Sequence, residues 1–263
     1  MDSFNGLYDD GFYERQVSGS YRSAQVFAGL IAAIFTPKSV VDFGCGRGAW
    51  LKAFKEIGAT TLVGFDGEWN SQENMIEGSI VFNACDLNKG VPRDRDDKFE
   101  LAISLEVAEH LEPSSAGTVV QSLVSLSDAV LFSAAFPGQG GTNHINEQPH
   151  SYWARLFATH NYVPFDVFRP VVWGDTRVQP WYRKNAFLYV RSDGPVYKVL
   201  RAGKMAPMKN VAFMDCVDSA RFLAKLPIWQ KVRLIPRVLA GIRRRIALWD
   251  NKTQRYSSKS STE

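Results

Sequence analysis

From Val40 to Arg191 the chain alternates short apolar runs with stretches of helical periodicity, and this constrains its fold more than any other feature. Strand–helix–strand units of this kind build a mainly parallel sheet with helices on both faces. Seven runs read as strands: 39–44, 60–66, 79–86, 101–106, 129–136, 165–173 and 185–191. Helices are expected over 21–35, 49–57, 116–125 and 152–160. About eleven residues, GDTRVQPWYRK, separate the sixth and seventh runs. That is too short for a helical crossover, so strand seven is expected to run antiparallel to its neighbour. The expected class is α/β, a doubly wound seven-stranded sheet with strand 7 antiparallel.

The first strand leads into DFGCGRG, Asp42 to Gly48, which opens a helix. Glycines at 44, 46 and 48 permit positive φ and close backbone approach to a ligand. The spacing lacks the third glycine of the dinucleotide fingerprint at its proper place. No Gly-Lys-Ser/Thr follows, which excludes a P-loop. The second strand ends in Asp66, where a carboxylate can accept both hydroxyls of a ribose. Asp86-Leu87 closes the third strand and suits an adenine amino group. Each aspartate alone could be a helix cap. Two acidic strand ends in register with three glycines read instead as a nucleoside-cofactor site.

Taken together, VVDFGCGRGAWLKAF, GFD, ACDLN and AISLEVAEHLEP resemble the class I S-adenosylmethionine-dependent methyltransferases, over about residues 35–191. The resemblance implies a Rossmann-like fold, an enzyme, and S-adenosylmethionine as cofactor. It places Asp42, Gly44 and Gly46 by the methionine moiety, Asp66 on the ribose and Asp86-Leu87 at the adenine. Ser104 and Glu106 would line the methionine end, and GSYRSAQ, residues 19–25, could close over the cofactor.

Three segments reach the sheet edge where an acceptor must sit: EVAEHLEP, PGQGGTNHINEQPH and GDTRVQPWYRK. In the second, His144 is the expected general base for a hydroxyl acceptor and Glu147 the next candidate. Asn143, Asn146, Glu147 and Gln148 are groups of the kind that grip polyols, and glycines at 138, 140 and 141 suit a lid. Arg177, Trp181, Tyr182 and Arg183 in the third segment, with Trp173 before them, could stack on a sugar, bind an anion or plug the sheet edge. In EVAEHL the spacing of Glu106, Glu109 and His110 puts these three side chains on one face of a helical turn. With His144 they could hold Mg²⁺ or Mn²⁺, and the set resembles that of metal-dependent small-RNA 2′-O-methyltransferases. Leu111 stands where some RNA-modifying relatives carry a second histidine, so the expectation is no metal, with this set as the alternative.

The formal net charge is +4, but it is unevenly spread. Residues 193–263 carry 15 basic and 5 acidic residues, a net +10, which leaves 16 basic and 22 acidic, a net −6, to residues 1–192. The expected organisation is a methyltransferase domain with an N-terminal helix over 1–192. A basic helical extension over 193–263 would end in a disordered tail. An apolar stripe of Val238, Leu239, Ile242, Ile246 and Trp249, set among Arg243–Arg245, gives 236–249 two readings: a helix docked on the main domain, or peripheral contact with an anionic membrane. Cys45, Cys85 and Cys216 are too scattered for a disulfide framework. The opening MDSFNGLYDDGF has no signal-peptide pattern, and the apolar run Val26–Phe35 is too short to span a bilayer. A cytoplasmic protein is expected, with the inner leaflet as its peripheral site.

The leading functional expectation is O-methylation of a hydroxyl-rich small molecule or glycan, of the surface-polysaccharide type that similar sequences suggest. The acidic catalytic part disfavours nucleic acid, leaving an RNA 2′-O-methyltransferase as the alternative. A non-catalytic cofactor-binding scaffold is the alternative of another class.

Overall fold

The computed structural model describes residues 10–91 and 98–209. A helix, α1 (Asp10–Ala32), precedes the sheet. It reaches further toward the N-terminus than the expected 21–35. Ala24, Phe27, Ala28 and Ile31 recur at helical spacing and are fully buried, which ties α1 to the body of the domain. Strands β1 (Ser39–Phe43), β2 (Thr61–Asp66), β3 (Ile80–Ala84), β4 (Leu101–Leu105) and β5 (Ala129–Ser133) follow. Between and after them come helices α2 (Ala49–Glu56), α3 (Ala116–Leu126) and α4 (His150–Ala158). Then come β6 (Tyr162–Phe165), two short helices α5 (Arg169–Val172) and α6 (Pro180–Asn185), β7 (Phe187–Arg191) and α7 (Pro195–Ala202).

The seven strands form one sheet in the order β3-β2-β1-β4-β5-β7-β6. Strands β1 to β5 pair in parallel, while β7 lies between β5 and β6 and is antiparallel to both. Successive residues of a strand face opposite sides, so neighbours such as Val40 and Val41 feed two separate cores. Phe27 of α1, Leu51 of α2 and Leu200 of α7 meet Ile103 and Leu131 on one face. Val120 and Leu123 of α3 and Phe157 of α4 meet Phe43 and Phe132 on the other. Strand order reverses about β1, which pairs with both β2 and β4, and such a switch point opens a crevice beyond the strands' C-terminal ends.

The sixth strand corrects the expected span of 165–173. Residues 169–172 are helical because Pro170 favours a helix start, and burial there follows a helical period. Phe168 and Val172 are buried while Val171 is 62% exposed, whereas a strand would put Val171 on the side of Phe165 and Val167. The antiparallel setting of β7 therefore does not come from a short hairpin. Its connection to β6 is longer and contains α5 and α6. The fifth strand also ends early, at Ser133, since residues 134–136 leave the ladder although all three remain buried.

Past Arg191 the chain forms α7, with Val196 and Leu200 buried and Val199 exposed, so the start of the basic stretch packs on the sheet. The candidate helix 236–249, the tail and Cys216 lie outside the described residues. Among the described residues no helix is long and apolar enough to cross a membrane.

Candidate active site

The glycine loop sits at the switch point. Gly44, Gly46 and Gly48 adopt φ of 79°, 52° and 83°. A Cβ on Gly44 would stand 2.3 Å from the Val107 side chain, so glycine is required there on two counts. A Cβ on Gly46 would meet nothing within 4 Å, which leaves open space above the loop. Asp66, 8% exposed, accepts the Gly46 amide at 2.7 Å and the Gly67 amide at 2.8 Å, one on each carboxylate oxygen. Each oxygen keeps a lone pair for a further donor. Burial raises its pKa, and the two amides oppose the rise. Asp42 is buried beside it, and burial together with the Asp66 charge pushes its pKa well up. Asn70, which local spacing did not single out, donates to the Gly46 carbonyl at 2.6 Å.

Asp86 caps its own turn. It accepts the Asn88 amide at 3.0 Å and the Asn88 side chain at 3.1 Å, with Lys89 at 3.4 Å. Its carboxylate is exposed at the sheet edge, next to buried Leu87.

Glu106 follows β4 with φ 56°, a left-handed conformation that costs a non-glycine residue about 1–3 kcal/mol. Its amide donates to the Ser133 carbonyl and hydroxyl, both at 3.1 Å. Its carboxylate accepts Gln139 Nε2 at 3.0 Å and Asn185 Nδ2 at 3.0 and 3.2 Å. Nothing local to Glu106 indicated Gln139 or Asn185, which lie 33 and 79 positions away. Ser104 is fully buried, and its hydroxyl has no hydrogen-bond partner.

Glu109 is also fully buried, and neither carboxylate oxygen has a hydrogen-bond partner of normal geometry. Burial, followed by the Glu106 charge, raises its pKa to about 9. Its main-chain carbonyl accepts the Ile145 and Asn146 amides and so anchors the loop after β5. Within that loop Glu147 accepts the Gly138 amide at 2.6 Å and the Gly140 amide at 2.7 Å. It also bonds His144 Nδ1 at 3.0 Å. Burial opposes ionisation of Glu147, but His144 and the two amides outweigh it and hold the pKa below the usual carboxylate range. Asn146 is buried, donates to the Ala108 carbonyl and accepts from Gln148. Glu147, Asn146 and Gln148 thus pin the loop itself.

The His144 ring meets the His110 ring edge-on, with centroids 4.9 Å apart. Burial and the neighbouring His144 lower the His110 pKa. Potential ligand atoms of Glu109, His110 and His144 lie within 4.8 Å of one another. Glu106, the fourth expected member of that set, is tied instead to the two amide side chains.

In the third segment Tyr182 is buried and its hydroxyl meets Ser20 at 3.2 Å, while Gln179 bonds Ser23. Residues 19–25 therefore pack against α6. Trp173 and Trp181 are 53% and 39% exposed, Arg177 pairs with Asp175, and Arg183 reaches the Trp173 carbonyl.

Residues 13–132 match the family model of a methyltransferase domain. A similar solved structure is the complex of the Haloferax volcanii Trm112 methyltransferase activator with a methyltransferase partner, at 15% identity and TM-score 0.51, covering 69% of this chain and 94% of that one. Magnesium protoporphyrin IX methyltransferase from Synechocystis PCC 6803 with bound S-adenosylmethionine is 19% identical over 71% of this chain and 86% of that one, TM-score 0.48. The Burkholderia thailandensis 1,6-didemethyltoxoflavin-N1-methyltransferase is 20% identical over 71% and 83%, TM-score 0.48. At such identities a likeness speaks for the fold alone. No curated protein matches the sequence.

Proposed function

We propose that this chain, whose residues 13–132 match a methyltransferase domain, is a class I S-adenosylmethionine-dependent methyltransferase that methylates a hydroxyl of a hydroxyl-rich small molecule or glycan. The residues at the switch point fit the cofactor. Open space over Gly46 admits it, and Asp66 keeps lone pairs for two ribose hydroxyls. The anionic corner at Glu106 and the unpartnered Ser104 hydroxyl suit its charged end. S-adenosylmethionine supplies a methyl group on a positively charged sulfur.

The chain itself must align the acceptor and take its proton. One observation carries this reading, the 3.0 Å bond between His144 Nδ1 and Glu147. With Nδ1 committed to a carboxylate, Nε2 is the imidazole position left to receive a proton, and the charge of Glu147 stabilises the imidazolium that results. Gly141 lies against this ring, since a Cβ there would stand 2.2 Å from Nε2. The glycan preference rests on the resemblance to sequences of the surface-polysaccharide type, and the basic 193–263 stretch fits it, since it suits the anionic inner leaflet where lipid-linked glycans are made and a cytoplasmic location. Contact through 236–249 belongs to this proposal.

The test is incubation of a cell extract with methyl-labelled S-adenosylmethionine, followed by the mass of the labelled product. An O-methylated saccharide supports the reading, and a methylated amine or RNA overturns the acceptor class. In the His144→Ala variant cofactor binding is expected to persist while methyl transfer falls at least ~100-fold. Unchanged turnover would remove His144 from the mechanism.

A second reading, a divalent-metal RNA 2′-O-methyltransferase, draws on the closeness of Glu109, His110 and His144 and on the burial of the Glu109 carboxyl. A carboxylate and two imidazoles are a donor set that suits Mn²⁺. Micromolar Mn²⁺ binding by calorimetry, lost in His110→Ala, would favour it over the metal-free reading.

A further inference from the structure

We propose that Asn185, together with Gln139, is a positioning residue that aims the Glu106 carboxylate at the ammonium group of the bound cofactor. The inference rests on the S-adenosylmethionine reading above and extends it to two residues with no place in the glycine-loop pattern. Asn185 ends α6, just before β7, and is 1% exposed. Its Nδ2 donates to both Glu106 oxygens, at 3.0 and 3.2 Å, and to Gln139 Oε1 at 2.9 Å. Gln139 Nε2 completes the ring at 3.0 Å from Glu106.

Both amide donors are neutral, and the neighbouring Glu109 carboxyl also hydrogen-bonds to this carboxylate. The amides orient the carboxylate without cancelling its charge, and among the described residues no cation pairs with it. A buried-side carboxylate held in a left-handed backbone conformation and left uncompensated is set up for an incoming cation. Asn185 Oδ1, in the same planar amide, is buried and has no donor, as is the Ser104 hydroxyl on β4. An ammonium group suits the Glu106 carboxylate, because it carries both a positive charge and N–H donors. A sulfonium has no N–H, and a neutral hydroxyl brings no charge.

The experiment is calorimetric titration of the full chain with two ligands. S-adenosylhomocysteine keeps the amino-acid end, and 5′-methylthioadenosine keeps the adenosine and thioether but lacks that end. In Asn185→Ala the Kd for S-adenosylhomocysteine is expected to weaken about tenfold, with that for 5′-methylthioadenosine within about twofold. Combined with Glu106→Gln, which removes the charge, Asn185→Ala should add no further loss. Equal weakening for both ligands, no weakening, or a full second loss in the Glu106→Gln background would overturn the proposal. If Asn185→Ala melts early, Gln139→Ala on the half-buried loop is to give the same ligand split, and its failure to do so counts equally against the idea. A wild-type chain that binds neither ligand would instead overturn the cofactor reading itself.

Discussion

At the scale of single residues, burial of charge decides most of what is distinctive. Asp42 stays in β1 at 3% exposure, with a pKa well above its ordinary value because of burial and then Asp66. Its folded-state pKa is raised, so the folded chain holds the proton over a range where the unfolded chain has released it. The stability this confers is full below about pH 4 and is lost as pH climbs through the raised value. The difference in melting temperature between wild type and Asp42→Asn is therefore expected to shift against wild type from pH 5 to pH 8. A constant difference across that range would mean Asp42 is ionised in the fold. Gly44, Gly46 and Asp66 stood out in the sequence because their spacing is local to one strand–helix–strand unit, β1–α2–β2. Gln139 and Asn185 did not, because an amide becomes a carboxylate partner only once distant segments meet.

Among the elements, the first half of the loop between β5 and α4 is gathered by one side chain. Glu147 accepts two backbone amides and His144, three bonds from one carboxylate. Hydrogen bonds to a charged group contribute about 1.5–3 kcal/mol each when partly buried. Glu147→Ala is expected to raise amide exchange across residues 137–147 at least ~10-fold, with peptides from β4 and β5 unchanged. Equal exchange in wild type and variant would show that the Glu109 carbonyl and Asn146 hold the loop without Glu147. Periodicity served the long elements well, since α2, α3 and the parallel strands lie within a few residues of expectation. It failed at 165–173, where a strand end, a turn and a one-turn helix share one apolar run. A stretch that short shows too few repeats to separate a period of 2 from one of 3.6.

For the whole molecule, the charge division is the feature with a consequence. The full chain is expected to bind phosphatidylglycerol vesicles and not phosphatidylcholine vesicles, with affinity falling as salt rises from about 0.05 to 0.5 M. RNA binding of the same salt dependence, without vesicle binding, would shift the acceptor toward nucleic acid. Local sequence was enough for the α/β class, the seven strands and the glycine loop with its acidic strand ends, and it suggested the antiparallel last strand for a reason the structure does not share. The first three follow from periodicity and spacing within about twenty residues, where chain geometry leaves few choices. The antiparallel strand was expected from a connection length that the structure does not have. Tertiary structure alone decided that Glu106 meets Gln139 and Asn185, that Glu109 loses solvent, and that His144 sits between Glu147 and His110. Those contacts join β4, the loop after β5 and the end of α6, and charge, burial and hydrogen bonding there exist only once the sheet brings its C-terminal edge together.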